Sequence, residues 1–129
     1  MADPRFEEGL VRFNQKEYYE CHEVIEALWL ETPQSDPYRD LYKGVIQAAA
    51  ALYQFDREIL SGALSLYKTS RVYLNKYEPA ALGLNVRSLI DQMDACFASL
   101  KKSDRREKIK LNPTLAPNLN FKQQISNQE

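Results

Sequence analysis

The sequence predicts an all-α fold: a compact bundle of about five helices, built as two stacked antiparallel hairpins plus a terminal helix. Apolar residues recur at helical spacing through most of the chain, and loops rich in proline and asparagine separate these stretches. Strand-like alternation of useful length is absent from the pattern. The 129 residues suit a single helical domain at residues 1–110, followed by an irregular C-terminal arm at residues 111–129.

The first two helices are predicted from their start signal and their apolar pattern. Asp3 followed by Pro4 is typical of a helix start, because aspartate caps free N–H groups and proline suits the first turn. The second helix is expected at about residues 17–31. Its apolar residues cover most of its circumference, which favours burial between neighbouring helices.

The third helix is expected at about residues 38–58, because Asp36 and Pro37 repeat the start signal. Gly44 and the alanines that follow make one side of this helix thin. Since glycine lowers helix propensity by about 1 kcal/mol, close packing of another helix is the expected reason for Gly44.

The remaining helices are predicted at about residues 61–77, ending before Pro79, and from an Asn85 cap to about residue 100. The hairpins are distantly similar to tetratricopeptide hairpins, but no strict repeat period holds. Apolar side chains of the arm are expected to pack it onto the body. These are Leu115, Leu119 and Phe121.

Composition excludes several classes of partner. Lys and Arg number 17 against 18 Asp and Glu, so we expect no nucleic-acid binding. No apolar run is long enough for a membrane span, and the charged N-terminus is unlike a secretory signal. A cytoplasmic protein is expected, or one of the plastid stroma in a photosynthetic lineage. Cys21 and Cys96 lie on apolar stripes and are expected to be buried thiols.

The most informative motif is His22-Glu23-x-x-Glu26-x-x-Trp29, which contains the only histidine and the only tryptophan. At about 100° per residue, His22, Glu26 and Trp29 share one helix face with Tyr18. Glu23 is about 100° from His22 on the same wheel. A titratable pair is therefore expected among apolar neighbours.

We expect this motif to form a polar cluster with the amide of Gln47 and with tyrosine hydroxyls. Its predicted members are His22, Glu26, Trp29, Gln47, Tyr18 and Tyr53. Such a cluster either satisfies itself inside the core and fixes helix register, or lines a small binding pocket.

The alternative interpretation is a metal site. The motif resembles the His-Glu-x-x-His of zinc peptidases, with His22 and Glu26 as ligands and Glu23 as general base. A catalytic zinc usually has three protein ligands rich in His or Cys, and this chain has no second histidine. No cofactor is therefore expected, and a divalent metal stays the alternative.

Taken with other motifs, these residues resemble the family called domain of unknown function 309. The accompanying motifs are Phe13-Asn14, Gly44-x-x-Gln47, Gly62-Ala63 and Gly83-x-Asn85. The resemblance covers about residues 6–100 and implies a compact all-helical fold with no established activity. Members often carry a histidine where this chain has Gln54, so the resemblance supplies no second imidazole.

The preferred function is a non-catalytic binding or scaffolding module whose partner is a protein or a small molecule. The alternative is a metal-dependent hydrolase-like enzyme that uses His22, Glu23 and Glu26 as described above. The sequence is compatible with a homodimer but marks no interface.

Overall fold

The computed structural model describes residues 3–102 and 109–122. Within these residues the chain forms six α-helices, one short 3₁₀ helix at Pro113–Leu115 and one two-stranded hairpin. The helices are α1 (Pro4–Asn14), α2 (Tyr18–Glu31), α3 (Arg39–Asp56), α4 (Leu60–Asn75), α5 (Val86–Cys96) and α6 (Ala98–Lys102). The strands are β1 (Ala80–Ala81) and β2 (Leu84–Asn85), which pair antiparallel. The predicted all-α class is confirmed.

The first four helices pack mainly on their neighbours in sequence, and α3 lies between α2 and α4. Short connections make such neighbours antiparallel. Among the described residues, no helix is both long enough and apolar enough to cross a bilayer.

Two predicted caps form as expected. The Asp3 carboxylate accepts a hydrogen bond from the backbone N–H of Arg5 at 2.9 Å, and the Asn85 side chain accepts one from Ser88 N–H at 2.9 Å. Asp36 behaves differently from the prediction. Its carboxylate accepts from Tyr38 N–H at 2.8 Å, which closes a turn before α3 rather than capping the helix itself.

The structure corrects the prediction at two places beyond α3. The terminal helix is interrupted at Phe97, so it consists of α5 and the short α6. The β-hairpin was not predicted, because two residues per strand are too few to show alternation. Leu82 and Gly83 both have positive φ, 48° and 80°, as a two-residue hairpin turn requires.

Close packing at Gly44 is confirmed. A β-carbon at this position would lie 2.8 Å from Leu74 Cδ2 and 3.2 Å from Tyr73 Cβ, both on α4. Ala48 and Ala51 on the same helix are completely buried. The absence of side-chain bulk therefore lets α4 approach α3 closely and bury Leu74 against it.

A polar network ties α4 to α5. Arg71 donates two hydrogen bonds to the Asp94 carboxylate, each at 2.9 Å, and the Tyr67 hydroxyl donates a third at 2.6 Å. The Arg71 hydrogen bonds hold the pKa of Asp94 below its ordinary value of 3.8. Burial and the bond to Asp94 raise the pKa of Tyr67 to about 12.

The C-terminal arm packs on the body through some of the predicted residues. Leu119 is buried and Phe121 is partly buried against the core, whereas Leu115 is 43% exposed and does not serve as predicted. Helix α6 ends at Lys102. The described residues leave out 103–108 of the predicted helical domain and 123–129 of the predicted arm.

We expect Gly44→Ala to lower the free energy of unfolding by about 1 kcal/mol. Overpacking against Leu74 costs roughly 1–3 kcal/mol and is only partly offset by the better helix propensity of alanine, about 1 kcal/mol. Urea unfolding measures the difference. Val72→Ala on α4, at a side chain that is 64% exposed, is the control and should change stability by less than about 0.5 kcal/mol. An unchanged or stabilised Gly44→Ala protein would contradict the packing argument.

We expect Asp94→Asn to lower stability by about 1 kcal/mol at pH 7, because a charged acceptor of three hydrogen bonds is replaced by a neutral one. A lowered folded-state pKa contributes stability that is present above the unfolded value. The difference between the two proteins should therefore be constant near neutral pH and shrink as the pH falls below about 3.8.

Urea unfolding at several pH values measures this dependence. Asp91→Asn, at the more exposed carboxylate of α5, serves as the control and should show little effect. A difference that stays constant down to acid pH would argue against a role for the Asp94 charge.

Candidate functional site

The motif lies on the outer side of α2, where this helix runs beside α3. The inner side of α2 is buried through Cys21, Ile25 and Leu28. Ile25 packs on Gly9 of α1, where a β-carbon would lie only 2.3 Å from Ile25 Cγ1. With that side held by the core, His22 is left half-buried at the edge of the interface.

Two ring contacts define the α2–α3 edge and show that the helices are antiparallel. Trp29, near the end of α2, lies under Arg39 and Lys43 at the start of α3, each 4.3 Å from the ring centroid. Tyr19, near the start of α2, meets Tyr53 near the end of α3 with ring centroids 5.9 Å apart. The outer residues of the motif lie between these two contacts.

His22 presents its Nδ1 atom to two carboxylates. Nδ1 lies 3.6 Å from Glu26 Oε1 and 3.5 Å from Glu23 Oε2. The imidazole side chain is 29% exposed, yet Nδ1 itself is buried and has no hydrogen-bond partner among residues 3–102 and 109–122. Both distances exceed the usual N–H···O range of 2.7–3.2 Å. The carboxylates surround the nitrogen without bonding to it.

The position of Glu23 differs from the helical-wheel expectation. The wheel separates it from His22 by about 100°, but its carboxylate reaches as close to Nδ1 as that of Glu26. A wheel describes where Cβ points, and glutamate has two further carbons that can bend back along the surface. Glu23 is therefore placed as a third member of the cluster and not as a separate base.

The predicted self-satisfying network does not form. Gln47 lies on the stretch of α3 between Lys43 and Tyr53, as expected, but its Oε1 atom is buried without a hydrogen-bond partner. The Nε1 atom of Trp29 is also buried without a hydrogen-bond partner in the described residues. With His22 Nδ1, three buried polar atoms along this edge lack partners, whereas native proteins usually pair such atoms. Two further buried atoms, Tyr18 Oη and Gln54 Oε1, also lack hydrogen-bond partners in the described residues.

The two tyrosines predicted for the cluster, Tyr18 and Tyr53, pack on other side chains instead. Tyr18 packs edge-on against Phe13 with ring centroids 5.5 Å apart, and burial raises its pKa to about 12. Tyr53 contacts Tyr19 and lies under Arg57 at 5.4 Å. In the described residues neither tyrosine has a hydrogen bond to His22 or Glu26.

Gln54 faces α4. A β-carbon on Gly62 would lie 1.9 Å from Gln54 Oε1, so the glycine makes room for this amide. Packing against Gln54 therefore explains the glycine of the Gly62-Ala63 motif. The side chain at position 54 is placed by α4 and takes no part in the His22 cluster.

The geometry of the three ligand atoms suits a metal ion. Donor atoms of His22, Glu23 and Glu26 all lie within 4.8 Å of one another. A tetrahedral site with bonds of about 2.1 Å separates its ligand atoms by about 3.4 Å. The two distances to Nδ1, 3.5 and 3.6 Å, are close to this value, so the three side chains could hold one ion.

The two thiols do not contribute to this cluster. Cys21 and Cys96 are free and buried, as predicted. Burial raises the pKa of Cys21 to about 12 and that of Cys96 to about 11. Buried thiols of high pKa are poor nucleophiles and poor ligands.

Arg39 and Lys43 are neighbours of the motif that sequence reasoning missed. Their spacing of four residues places both on one face of α3, and this spacing was the available signal. Nothing in the sequence places that face against Trp29, because this depends on the packing of α2 on α3.

Comparison with known proteins agrees with the motif. Residues 6–66 match the family model described as Domain of unknown function (DUF309). A curated relative, "Uncharacterized protein YpuF" of Bacillus subtilis (strain 168), is 34% identical over 95 residues. This alignment covers 71% of the chain and 54% of the relative, so the chain spans about half the length of that protein. No solved structure matches. The resemblance predicted from the motif is confirmed, and residues 6–66 match the domain of unknown function 309 family.

Proposed function

We propose that this protein is a binding module whose ligand is a divalent metal ion held by His22, Glu23 and Glu26. The buried Nδ1 atom of His22 carries this proposal, because it lies between two carboxylates and has no hydrogen bond in the described part of the chain. A cation there would accept the imidazole lone pair and offset the charge of both glutamates. A structural network would instead bring these atoms to hydrogen-bond distance.

The ligand types narrow the class of metal. One imidazole and two carboxylates suit Zn²⁺, Mn²⁺ or Fe²⁺ better than ions that require thiolates. Three protein ligands leave at least one coordination position for water or for a donor atom of a partner. The side chains of Glu23 and Glu26 are 54% and 39% exposed, which keeps that position within reach of solvent.

The hydrolase alternative has less support than the binding module. In peptidase chemistry the motif glutamate is a general base and not a ligand, whereas Glu23 lies as close to Nδ1 as Glu26 does. If Glu23 binds the ion, its lone pairs are engaged and no other motif residue is positioned as a base. We therefore assign the cluster to binding.

Titration of untagged protein with Mn²⁺ and Zn²⁺ tests the proposal. We expect one ion per chain by calorimetry and a rise in thermal midpoint, because an ion at about 100 times its Kd stabilises the folded state by about 2.7 kcal/mol. His22→Ala should abolish both effects. It should lower apo stability by less than about 1 kcal/mol, since the Nδ1 atom has no hydrogen bond to lose.

Matched glutamate variants make the test specific. Glu23→Gln and Glu26→Gln should each weaken metal binding by at least about tenfold. Mutating a residue that only hydrogen-bonds to a metal ligand already lowers metal affinity by about that factor. Glu20→Gln, at an exposed residue on the same helix, should bind as the natural protein does. Equal binding by His22→Ala, or no binding by the natural protein, would refute the metal site.

A further inference from the structure

A second surface, distinct from the His22 cluster, holds the C-terminal arm as an extended peptide. This slot is formed by Asn14 at the end of α1, by Gln92 of α5 and by the β-hairpin; the arm segment in it is residues 118–122. The arm forms a β-bridge from Phe121 to Leu84 of β2. The slot therefore contains a strand added to a sheet edge.

Two side-chain amides hold consecutive residues of the arm. Asn14 accepts from the backbone N–H of Leu119 at 2.6 Å and donates to its carbonyl oxygen at 3.0 Å. Gln92 does the same to Asn118, at 2.8 Å and 2.9 Å. Backbone groups of consecutive residues in an extended strand point to opposite sides, so α1 and α5 hold the strand between them.

The hairpin continues this pattern on the α5 side. The backbone N–H of Asn85 donates to Asn120 O at 2.8 Å, and Lys122 N–H donates to Gly83 O at 2.9 Å. These contacts involve main-chain atoms of the arm. The side chain of Leu119 is buried in the slot, with 4% exposed. Recognition thus requires an extended backbone and one aliphatic side chain, with no charge pairing among these contacts.

Residues of the slot account for motifs that the metal site leaves unused. Phe13-Asn14 and Gly83-x-Asn85 are among the residues on which the family resemblance rests. In the structure, Asn14, Gly83 and Asn85 each make a hydrogen bond to the arm. Asn14 contacts the arm through its side chain, whereas Gly83 and Asn85 contact it through backbone atoms.

We propose that the slot also accepts the arm of a second copy of this chain, so that two copies dimerise by exchanging residues 118–122. An identical arm offers the same backbone groups and the same leucine, so every contact described above is available to it without change. In a single copy the tethered arm competes at high effective concentration, which keeps exchange low.

Two full-length variants with complementary defects test the exchange. Leu119→Asp places a charge in the apolar site and leaves the slot without its own arm. The double variant Asn14→Leu/Gln92→Leu removes both amide clamps and releases a natural arm. Each variant alone should be monomeric by light scattering after size exclusion. An equimolar mixture should form a species of about twice the monomer mass, because cis competition is absent.

A direct measurement accompanies the mixing experiment. A fluorescent peptide of residues 113–122 should bind the Leu119→Asp protein at least about tenfold more tightly than the natural protein, whose own arm competes. It should bind the clamp variant more weakly than either. Mixing Leu119→Asp with a triple variant that carries all three changes is the control and should give no dimer.

A mixture that stays monomeric at high concentration overturns the exchange proposal, whether or not the peptide binds. Circular dichroism establishes that the variants keep their helices. If one of them unfolds, Phe121→Asp replaces the arm variant and Gln92→Leu alone replaces the clamp variant, with the same expected results. The metal titration does not depend on this outcome.

Discussion

Close approach of α4 to α3 at Gly44 is the constraint on which the rest of the structure depends. Leu74 and Tyr73 occupy the space that any side chain at position 44 would need. This contact fixes α4 on one side of α3, while the antiparallel α2 occupies the other. Both surfaces discussed above follow from it, since α2 carries the His22 cluster and α4 supports α5, which forms part of the arm slot.

The polar clusters on the two sides of α3 differ in hydrogen bonding. On the α4–α5 side, Asp94 is satisfied by Arg71 and Tyr67, with donor–acceptor distances of 2.6–2.9 Å. On the α2 side, the Nδ1 of His22 and the Oε1 of Gln47 have no hydrogen-bond partner in the described residues. Tyr18 Oη and, next to α4, Gln54 Oε1 are also buried without hydrogen-bond partners in the described residues. The α2 edge differs in that three such atoms lie along it, and this grouping supports assigning it to ligand binding.

The proposed metal site and the arm slot also use different physical means of recognition. The His22 cluster relies on charge and lone pairs, so its occupant is a cation. The arm slot relies on main-chain hydrogen bonds and one buried aliphatic side chain, so its occupant is an extended peptide. Because their residues do not overlap, a variant of Asn14 and a variant of His22 should act independently.

The sequence by itself determined the helical class, most helix positions, the Asp3 and Asn85 caps, the reason for Gly44 and the family. These follow from local periodicity and capping, which act over a few residues. Only the tertiary structure decided that Glu23 joins His22, that Tyr18 packs on Phe13, and that Asn14 holds Leu119. Side-chain torsions and contacts between residues far apart in sequence determine these features, and no local pattern records them.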